Sequence, residues 1–167
     1  YGVFDNADDF DRPLNLDTGR VTSMQSAFQN ADVFNGALAF DTSSVDRMTY
    51  LFYQAGSFNQ PLDFDTRSTT DFTGTFWIAA AFNQQLDFDT SSADKMYLMF
   101  THAVAFDQPL AWDVSSVTDM GSMLHSTTAL SDCNKRHIED SLSASTAWAA
   151  AGYDWSALRC PAITDAT

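Results

Sequence analysis

Aspartate recurs at one position of this sequence with a constant period, and a column of carboxylates suggests metal chemistry. The column consists of Asp17, Asp41, Asp65, Asp89 and Asp113. If successive turns place these side chains one above the other, Ca²⁺ would fit between the carboxylate oxygens, because calcium prefers oxygen ligands. The alternative is local: an Asp followed by Thr-Ser-Ser accepts a backbone N–H two residues on, in an Asx turn. Each turn supplies one carboxylate, so the pattern favours the turn and leaves calcium as the minor alternative.

Groups that could act in catalysis are few. Acid pairs such as Asp63 and Asp65 resemble a glycosidase dyad, but the repeat already explains their spacing. The three histidines, His102, His125 and His137, follow no zinc-binding pattern, and no Gly-rich phosphate loop occurs. We therefore expect a protein that is not an enzyme and that needs no cofactor, apart from the calcium alternative.

Large apolar side chains replace polar ones in the middle of the chain. Where the outer repeats carry residues such as Gln25 and Ser122, the middle repeats carry Tyr50, Tyr53, Trp77, Ile78, Tyr97 and Leu98. A contiguous exposed aromatic patch usually marks a partner surface. The alternatives are scattered surface aromatics or packing against another domain. The sequence thus predicts a binding site for a protein or glycan partner at these six residues.

A threonine column follows the aspartates, at Thr18, Thr42, Thr66 and Thr90. Flat threonine arrays occur on some ice-binding proteins, so ice binding is a third functional hypothesis. The column holds a single threonine per repeat and ends at Val114, which disfavours this hypothesis.

These residues must be positioned by a repeat of constant length. A 24-residue period without any insertion separates Phe10, Phe34, Phe58, Phe82 and Phe106, and a fixed period in this range is typical of stacked repeat proteins. Within each unit, segments such as Leu86-Asp87-Phe88 alternate like a strand, and Val117, Met120 and Leu124 follow a helical stripe. Ser116 and Asp119 would cap that helix.

The predicted fold is therefore an α/β solenoid, leucine-rich-repeat-like, with one short parallel strand and one helix in each 24-residue coil. Residues 1–130 form about five coils, the first of them incomplete. Residues 131–167 form a C-terminal cap and tail, with a helix near residues 134–142. Cys133 and Cys160 bracket this cap and predict a disulfide in an oxidising compartment.

Charge and hydropathy argue against nucleic acid as a partner and against a membrane span in this chain. The net charge of −14 disfavours nucleic acid, because phosphate binding needs clustered Lys and Arg. No apolar run is long enough to span a membrane.

Three elements of the repeat resemble those of a known family. They are FNQPL, the run DVSSVTDM from Asp113 to Met120 with its equivalents, and the LF or MF that follows this run in other units. They are similar to the leucine-rich-like repeats of the BspA-like surface proteins, also catalogued as a mycoplasma lipoprotein domain of unknown function. The resemblance covers about residues 4–130. It implies an extracellular or cell-surface protein, in some cases linked to adhesion, and it implies no reaction.

The functional prediction from the sequence is a non-catalytic, extracellular repeat module for adhesion to a protein or glycan. The alternative is a structural subunit of an extracellular assembly or filament, which would self-associate through the N-terminal coil.

Overall fold

The computed structural model describes residues 2–160. Tyr1 and residues 161–167, which include the end of the predicted tail, lie outside the described residues. Two helices are present in the described part: α1, Asp132–Leu142, and α2, Thr146–Ala151. The β-structure consists of isolated parallel bridges, which are Leu14 to Leu38, Ser23 to Arg47, Arg47 to Asp71, Asp71 to Lys95 and Lys95 to Asp119.

The predicted α/β solenoid is wrong. Residues 2–131 contain neither the helices nor the strands that one strand and one helix per coil would require. Among the predicted strand segments, the only bridge in the described chain joins Leu14 to Leu38. The 24-residue units are instead built of turns, and backbone hydrogen bonds connect each unit to the next.

Consecutive turns replace the predicted helix in every unit. Ala27 N donates to Met24 O at 3.1 Å, three residues back, whereas Phe28 N donates to Leu51 O of the next unit at 2.9 Å. An α-helix needs donation to the fourth residue back. Because alternate N–H groups point to the neighbouring unit instead, the ladder of an α-helix cannot form.

Left-handed backbone also prevents a continuous helix. Two residues per unit have φ near +60°, for example Tyr50 at 55° and Gln54 at 57°. The same two positions are left-handed in the other units, at Ser26, Asn30, Gly74, Ile78, Leu98, His102, Ser122 and Ser126. The prediction that Ser116 and Asp119 cap a helix is also wrong, because no helix begins there. Asp119 Oδ1 instead accepts from Gly121 N at 2.8 Å and closes a turn. Successive four-residue turns bury apolar side chains at three- and four-residue spacing, and that spacing imitates a helical stripe.

The core is a set of phenylalanine ladders. The rings of Phe52 and Phe76, which are equivalent residues of adjacent units, stack at 5.6 Å with 12° between their planes. Within a unit, Phe52 stacks on Phe58 at 4.0 Å. The Met48 and Met96 side chains are fully buried beside these ladders. Stacking of equivalent side chains therefore buries apolar area that no single unit could bury alone.

The C-terminal segment covers the last unit. Ser131 caps α1, whose position confirms the helix predicted near residues 134–142. Trp148 packs against Tyr153 at 4.8 Å, and the Tyr153 hydroxyl accepts from Leu124 N at 2.8 Å. Glu139 is buried, and its carboxylate accepts from the Trp148 indole N–H at 3.1 Å.

The predicted disulfide is also wrong. Cys133 and Cys160 are both free thiols. A hydrogen bond with Cys160, together with burial, raises the pKa of Cys133 to about 11. Cys160 Sγ lies 3.9 Å from His137 Nε2, so its thiol contacts the next turn of α1. Although the two cysteines bracket the cap in sequence, their sulfur atoms are not at the distance of a disulfide bond.

Candidate partner-binding surface

Three of the six predicted binding residues form one cluster of rings. The centroid of Tyr53 lies 4.6 Å from that of Trp77, and Tyr50 lies 6.0 Å from Tyr53 and 6.2 Å from Trp77. Tyr53 and Trp77 occupy the same position in adjacent units. All three side chains are half-buried, outside the phenylalanine ladders. We call Tyr50, Tyr53 and Trp77 the three-ring cluster.

A glycine in the next unit leaves space for the side chain of Tyr50. Gly74 occupies the position equivalent to Tyr50, has φ of +60° and is buried. A Cβ there would lie 2.5 Å from Tyr50 Cδ1, well inside contact distance. The absence of a side chain at position 74 therefore leaves room for the Cδ1–Cε1 edge of the tyrosine ring.

Trp77 presents a polar atom without a partner. Its Nε1 is shielded from solvent and has no hydrogen-bond partner among residues 2–160. Buried donors are usually satisfied, and leaving one unpaired costs free energy. The unpaired indole N–H therefore lowers the free energy of unfolding.

The other predicted residues lie beside the cluster or further along the stack. Ile78 follows Trp77 in a left-handed position and is half-buried, as is Leu98. Tyr97 is 40% exposed and lies over a second glycine, with its Cδ2 3.1 Å from where a Cβ of Gly121 would be. Within the described chain Tyr97 makes no ring contact with the three-ring cluster. The structure thus divides the predicted patch into a ring cluster and a separate tyrosine.

A column of alternating charge runs along successive units, and sequence reasoning missed it. Parallel bridges join Arg47 to Asp71, Asp71 to Lys95 and Lys95 to Asp119. The side chains of Arg47, Asp71 and Lys95, with Thr70 and Asp94, line an open polar groove. Arg47 precedes Tyr50 by three residues in the same unit. The signal was present as the series Ser, Arg, Asp, Lys, Asp at one position of successive units.

The aspartate column forms Asx turns, as the sequence predicted. Asp41 Oδ1 accepts from Ser43 N at 3.0 Å and from its hydroxyl at 2.6 Å, and Asp89 and Ser91 repeat both contacts. The hydroxyl and backbone hydrogen bonds hold the pKa of Asp41 and of Asp89 below the usual value.

A guanidinium occupies the middle of the aspartate column. Arg67 donates to Asp65 through Nε at 3.0 Å and through Nη2 at 2.6 Å. This bidentate hydrogen bonding lowers the pKa of Asp65 to about 2. Both carboxylate oxygens therefore already have a cationic partner at the centre of the column.

Metal ligands do not converge in the described part of the chain. Residues 2–160 contain no group of three His, Cys, Asp or Glu side chains that could hold an ion. His102 and His125, from adjacent units, meet edge to face at 5.7 Å without a third ligand. The carboxylates of the aspartate column are thus stabilised by hydrogen bonds within their turns and, at Asp65, by Arg67.

The threonine column points inward, against the ice-binding hypothesis. Thr42, Thr66 and Thr90 are each at most 2% exposed. Each hydroxyl donates to a carbonyl of the next unit, as Thr66 does to Asp89 O at 2.9 Å. An ice-binding face requires exposed threonines, so this column cannot provide one.

An amide ladder forms on another turn of each unit. Asn83 N donates to Asn59 Oδ1 at 2.9 Å, and Asn59 N donates to Asn35 Oδ1 at 2.9 Å. The ladder continues to Asp107, whose Oδ1 accepts from Ser131 N at 2.8 Å. Burial opposes ionisation of Asp107, but hydrogen bonds from Ser131 and Asn134 outweigh it and lower the pKa.

Comparison with known proteins places this chain in a family. A family model described as "Mycoplasma protein of unknown function, DUF285" matches residues 1–87 and 63–151. The chain belongs to the DUF285 family. No curated protein and no solved structure matches this DUF285 chain. Neither helix in its described part is long and apolar enough to cross a membrane.

Proposed function

We propose that this DUF285 chain is a non-catalytic module of the cell surface or extracellular space that binds a protein or glycan through the three-ring cluster. The observation that carries the proposal is the arrangement of Tyr50, Tyr53 and Trp77. Their centroids lie within 6.2 Å of one another, and all three rings are partly exposed. Clustered Tyr and Trp are the side chains that most often dominate binding interfaces.

The cluster is suited to binding because it is held in place before a partner arrives. The edge of the Tyr50 ring fits the space left by Gly74, and Tyr53 lies against Trp77 of the next unit. Side chains that are already ordered lose less conformational entropy on association. The units that carry the rings also carry Arg47 and Asp71, which line an open polar groove with Lys95.

Structural roles of the repeated polar groups support a non-catalytic module. The Asp65 carboxylate is engaged by Arg67, the Thr66 hydroxyl by a carbonyl of the next unit, and the Asn59 amide oxygen by Asn83 N. The resemblance to BspA-like repeats supports the surface location.

The test is binding to arrays of immobilised glycans and immobilised extracellular matrix proteins. The wild-type chain is compared with Tyr53→Ala combined with Trp77→Ala. We expect the double variant to lose binding to whichever array retains the wild type, while its unfolding midpoint stays close to wild type. A matched control carries Asp63→Asn and Asp87→Asn, two exposed residues outside the cluster, and should bind normally.

Either array identifies the partner class. Retention on one glycan group alone assigns a glycan, and retention on a matrix protein after deglycosylation assigns a protein. Loss of the fold in the double variant, or undiminished binding by it, would contradict a role for the three-ring cluster.

A further inference from the structure

Two columns of polar side chains lie side by side on one face of the stack. The first, which we call the charge column, consists of Arg47, Asp71, Lys95 and Asp119. The second, which we call the Asp–Thr column, consists of Asp46, Thr70, Asp94 and Thr118. All of these side chains are exposed except that of Asp71, which is half-buried. Members of both columns line the same open polar groove, so the two columns contribute to one surface.

The charge column holds one charge at each level of the stack. Parallel bridges join Arg47 to Asp71, Asp71 to Lys95, and Lys95 to Asp119, so the four residues keep a constant register. Because parallel strands lie about 4.8 Å apart, the column spans roughly 14 Å and changes sign at every step. A second surface with the opposite order of charges would therefore meet all four side chains at once.

The charges of this column form no ion pair within the described chain. All three ion pairs among residues 2–160 lie elsewhere, in the aspartate column and in α1. Asp71 and Asp119 each use only Oδ1, which accepts a backbone N–H of the same turn. Two cations and two carboxylate oxygens thus remain available to a partner.

The order of the charges is self-complementary. When two stacks meet face to face and run antiparallel, each residue faces the same position of the unit, with the order of the units reversed. Arg47 then faces Asp119 of the second copy, and Asp71 faces Lys95. A two-fold axis repeats both contacts. The arrangement therefore forms four pairs, all of them between opposite charges.

The Asp–Thr column is compatible with the same arrangement. Asp46 faces Thr118 of the second copy and Asp94 faces Thr70, so no carboxylate meets another carboxylate. Two parallel stacks in register would instead bring each charge of the charge column against itself. Parallel stacks shifted by one unit would form only three opposite pairs and would leave the assembly open to further copies. The order of charges thus favours the antiparallel dimer.

We propose that the charge column is the interface of an antiparallel, two-fold symmetric dimer of this chain. The proposal goes beyond the proposed function and does not rest on the three-ring cluster. The net charge of −14 on each copy opposes association. At physiological ionic strength, however, charges more than about 8 Å apart are largely screened, whereas the facing side chains are in contact. Because one exposed ion pair contributes little, the dimer depends on all four pairs forming together.

Exchange of two facing charges tests this dimer in the full chain. Lys95→Asp and Asp71→Lys are made separately and together, and sedimentation velocity is recorded at physiological ionic strength over a hundredfold range of protein concentration. The charge column already carries both signs at this position of the unit, so the fold should accept each substitution. Circular dichroism and the thermal midpoint verify that it does.

The wild type should form a concentration-dependent dimer. Either single variant should weaken it by about tenfold or more, because the two-fold axis converts two ion pairs into contacts between like charges. Asp71→Lys should do so although it reduces the net negative charge, which by itself would favour association. Asp63→Lys makes the same change of net charge at an exposed residue outside both columns, and it should dimerise at least as well as the wild type.

The double variant should regain the wild-type dimer, since the exchanged charges again face opposite ones. In the shifted parallel arrangement the same double variant would create two like-charged pairs and stay monomeric. If a single variant unfolds, Arg47→Asp and Asp119→Arg repeat the test on the outer pair.

Three outcomes with folded proteins would overturn the proposal: a monomeric wild type, single variants that dimerise as the wild type does, or a double variant that stays monomeric. A dimer that Leu16→Asp abolishes would also overturn it. Association would then occur through the N-terminal coil, where Leu16 is 46% exposed, and not through the charge column.

Discussion

The edge of the Tyr50 ring occupies the space that a side chain would fill at Gly74, the residue at the same position one unit later. A Cβ at position 74 would lie 2.5 Å from Tyr50 Cδ1 and 2.6 Å from Cε1. Tyr97 and Gly121, which also occupy one position in adjacent units, repeat the relationship at 3.1 Å. A glycine one unit on therefore accompanies two of the tyrosines at the surface, and at Tyr50 it shapes the three-ring cluster.

Gly74→Ala should destabilise the chain by about 2–4 kcal/mol, through strain at positive φ and overpacking against Tyr50. Chemical denaturation measures the change. Gly56→Ala is the matched control: a Cβ at position 56 would be 3.7 Å from its nearest neighbouring atom, and the φ of Gly56 is not positive. Adding Tyr50→Ala to Gly74→Ala should restore the part of the stability that overpacking removes. If no stability is restored, the ring does not occupy the space beside Gly74.

Acid should weaken the fold through the aspartate column. The pKa of Asp65 is lowered to about 2 by Arg67, and hydrogen bonds from Ser43 and Ser91 lower those of Asp41 and Asp89. A depressed folded-state pKa contributes stability that is present above the unfolded value near about 4 and is lost as pH falls through the folded value. Urea midpoints should therefore decline between about pH 4 and pH 2.

Arg67→Ala provides the control for this pH dependence. NMR titration of the Asp65 carboxyl should then show a pKa closer to that of an ordinary aspartate, while that of Asp113 stays low through its own hydrogen bond from Ser115 N. An unchanged Asp65 titration would show that the guanidinium is not its partner in solution.

The amide ladder should tolerate one substitution and not another. Asn59→Ala removes the acceptor for Asn83 N and for Gln84 Nε2, and it should cost about 1–3 kcal/mol because part-buried donors lose their partners. Asn59→Asp keeps the oxygen, as Asp107 does naturally, and should cost less. Equal losses measured by denaturation would indicate that the oxygen atom is not the important group.

The buried threonines should behave as structural residues. Thr66→Val keeps the shape of the side chain but leaves Asp89 O without its hydroxyl donor, at a cost of about 1–2 kcal/mol. Thr66→Ser retains the donor and controls for the loss. We also expect no thermal hysteresis in ice-growth measurements of the wild type; a clear hysteresis would contradict the inward orientation of this column.

Thiol titration should detect two free cysteines in the unfolded chain. In the folded chain at neutral pH, Cys133 should react slowly, because a pKa raised to about 11 leaves little of the reactive thiolate. Cys133→Ser identifies its signal. Loss of both thiol equivalents that a reductant restores, or fast reaction of Cys133, would contradict the geometry described for the cap.

The sequence was sufficient for the register of the stack and for its core. Phe52, Phe58 and Phe76 are buried because equivalent side chains stack, whatever backbone carries them. Asx turns at Asp41 and Asp89 were also predictable, because side-chain capping of a turn is a local interaction. The same holds for α1, which has an N-cap at Ser131 and no constraint from the repeat.

The backbone between the aspartates was not predictable from periodicity. Tyr50 and Leu98 are left-handed although neither residue favours that conformation, because hydrogen bonds to the neighbouring units hold them there. Spacing of three and four residues fits a helix and a chain of turns equally. The inward direction of Thr66 and the cluster of Tyr53 on Trp77 follow from those turns, so they could not be derived before the backbone was known.

The affinity of Trp77→Ala for the partner retained on the arrays tests the central claim most directly. Calorimetry with that purified glycan or protein should show binding at least about tenfold weaker than wild type, since tenfold is about 1.4 kcal/mol and a hot-spot aromatic contributes about 2 kcal/mol or more. Asp63→Asn combined with Asp87→Asn should bind as wild type does. Wild-type affinity in a folded Trp77→Ala variant would contradict binding through the three-ring cluster.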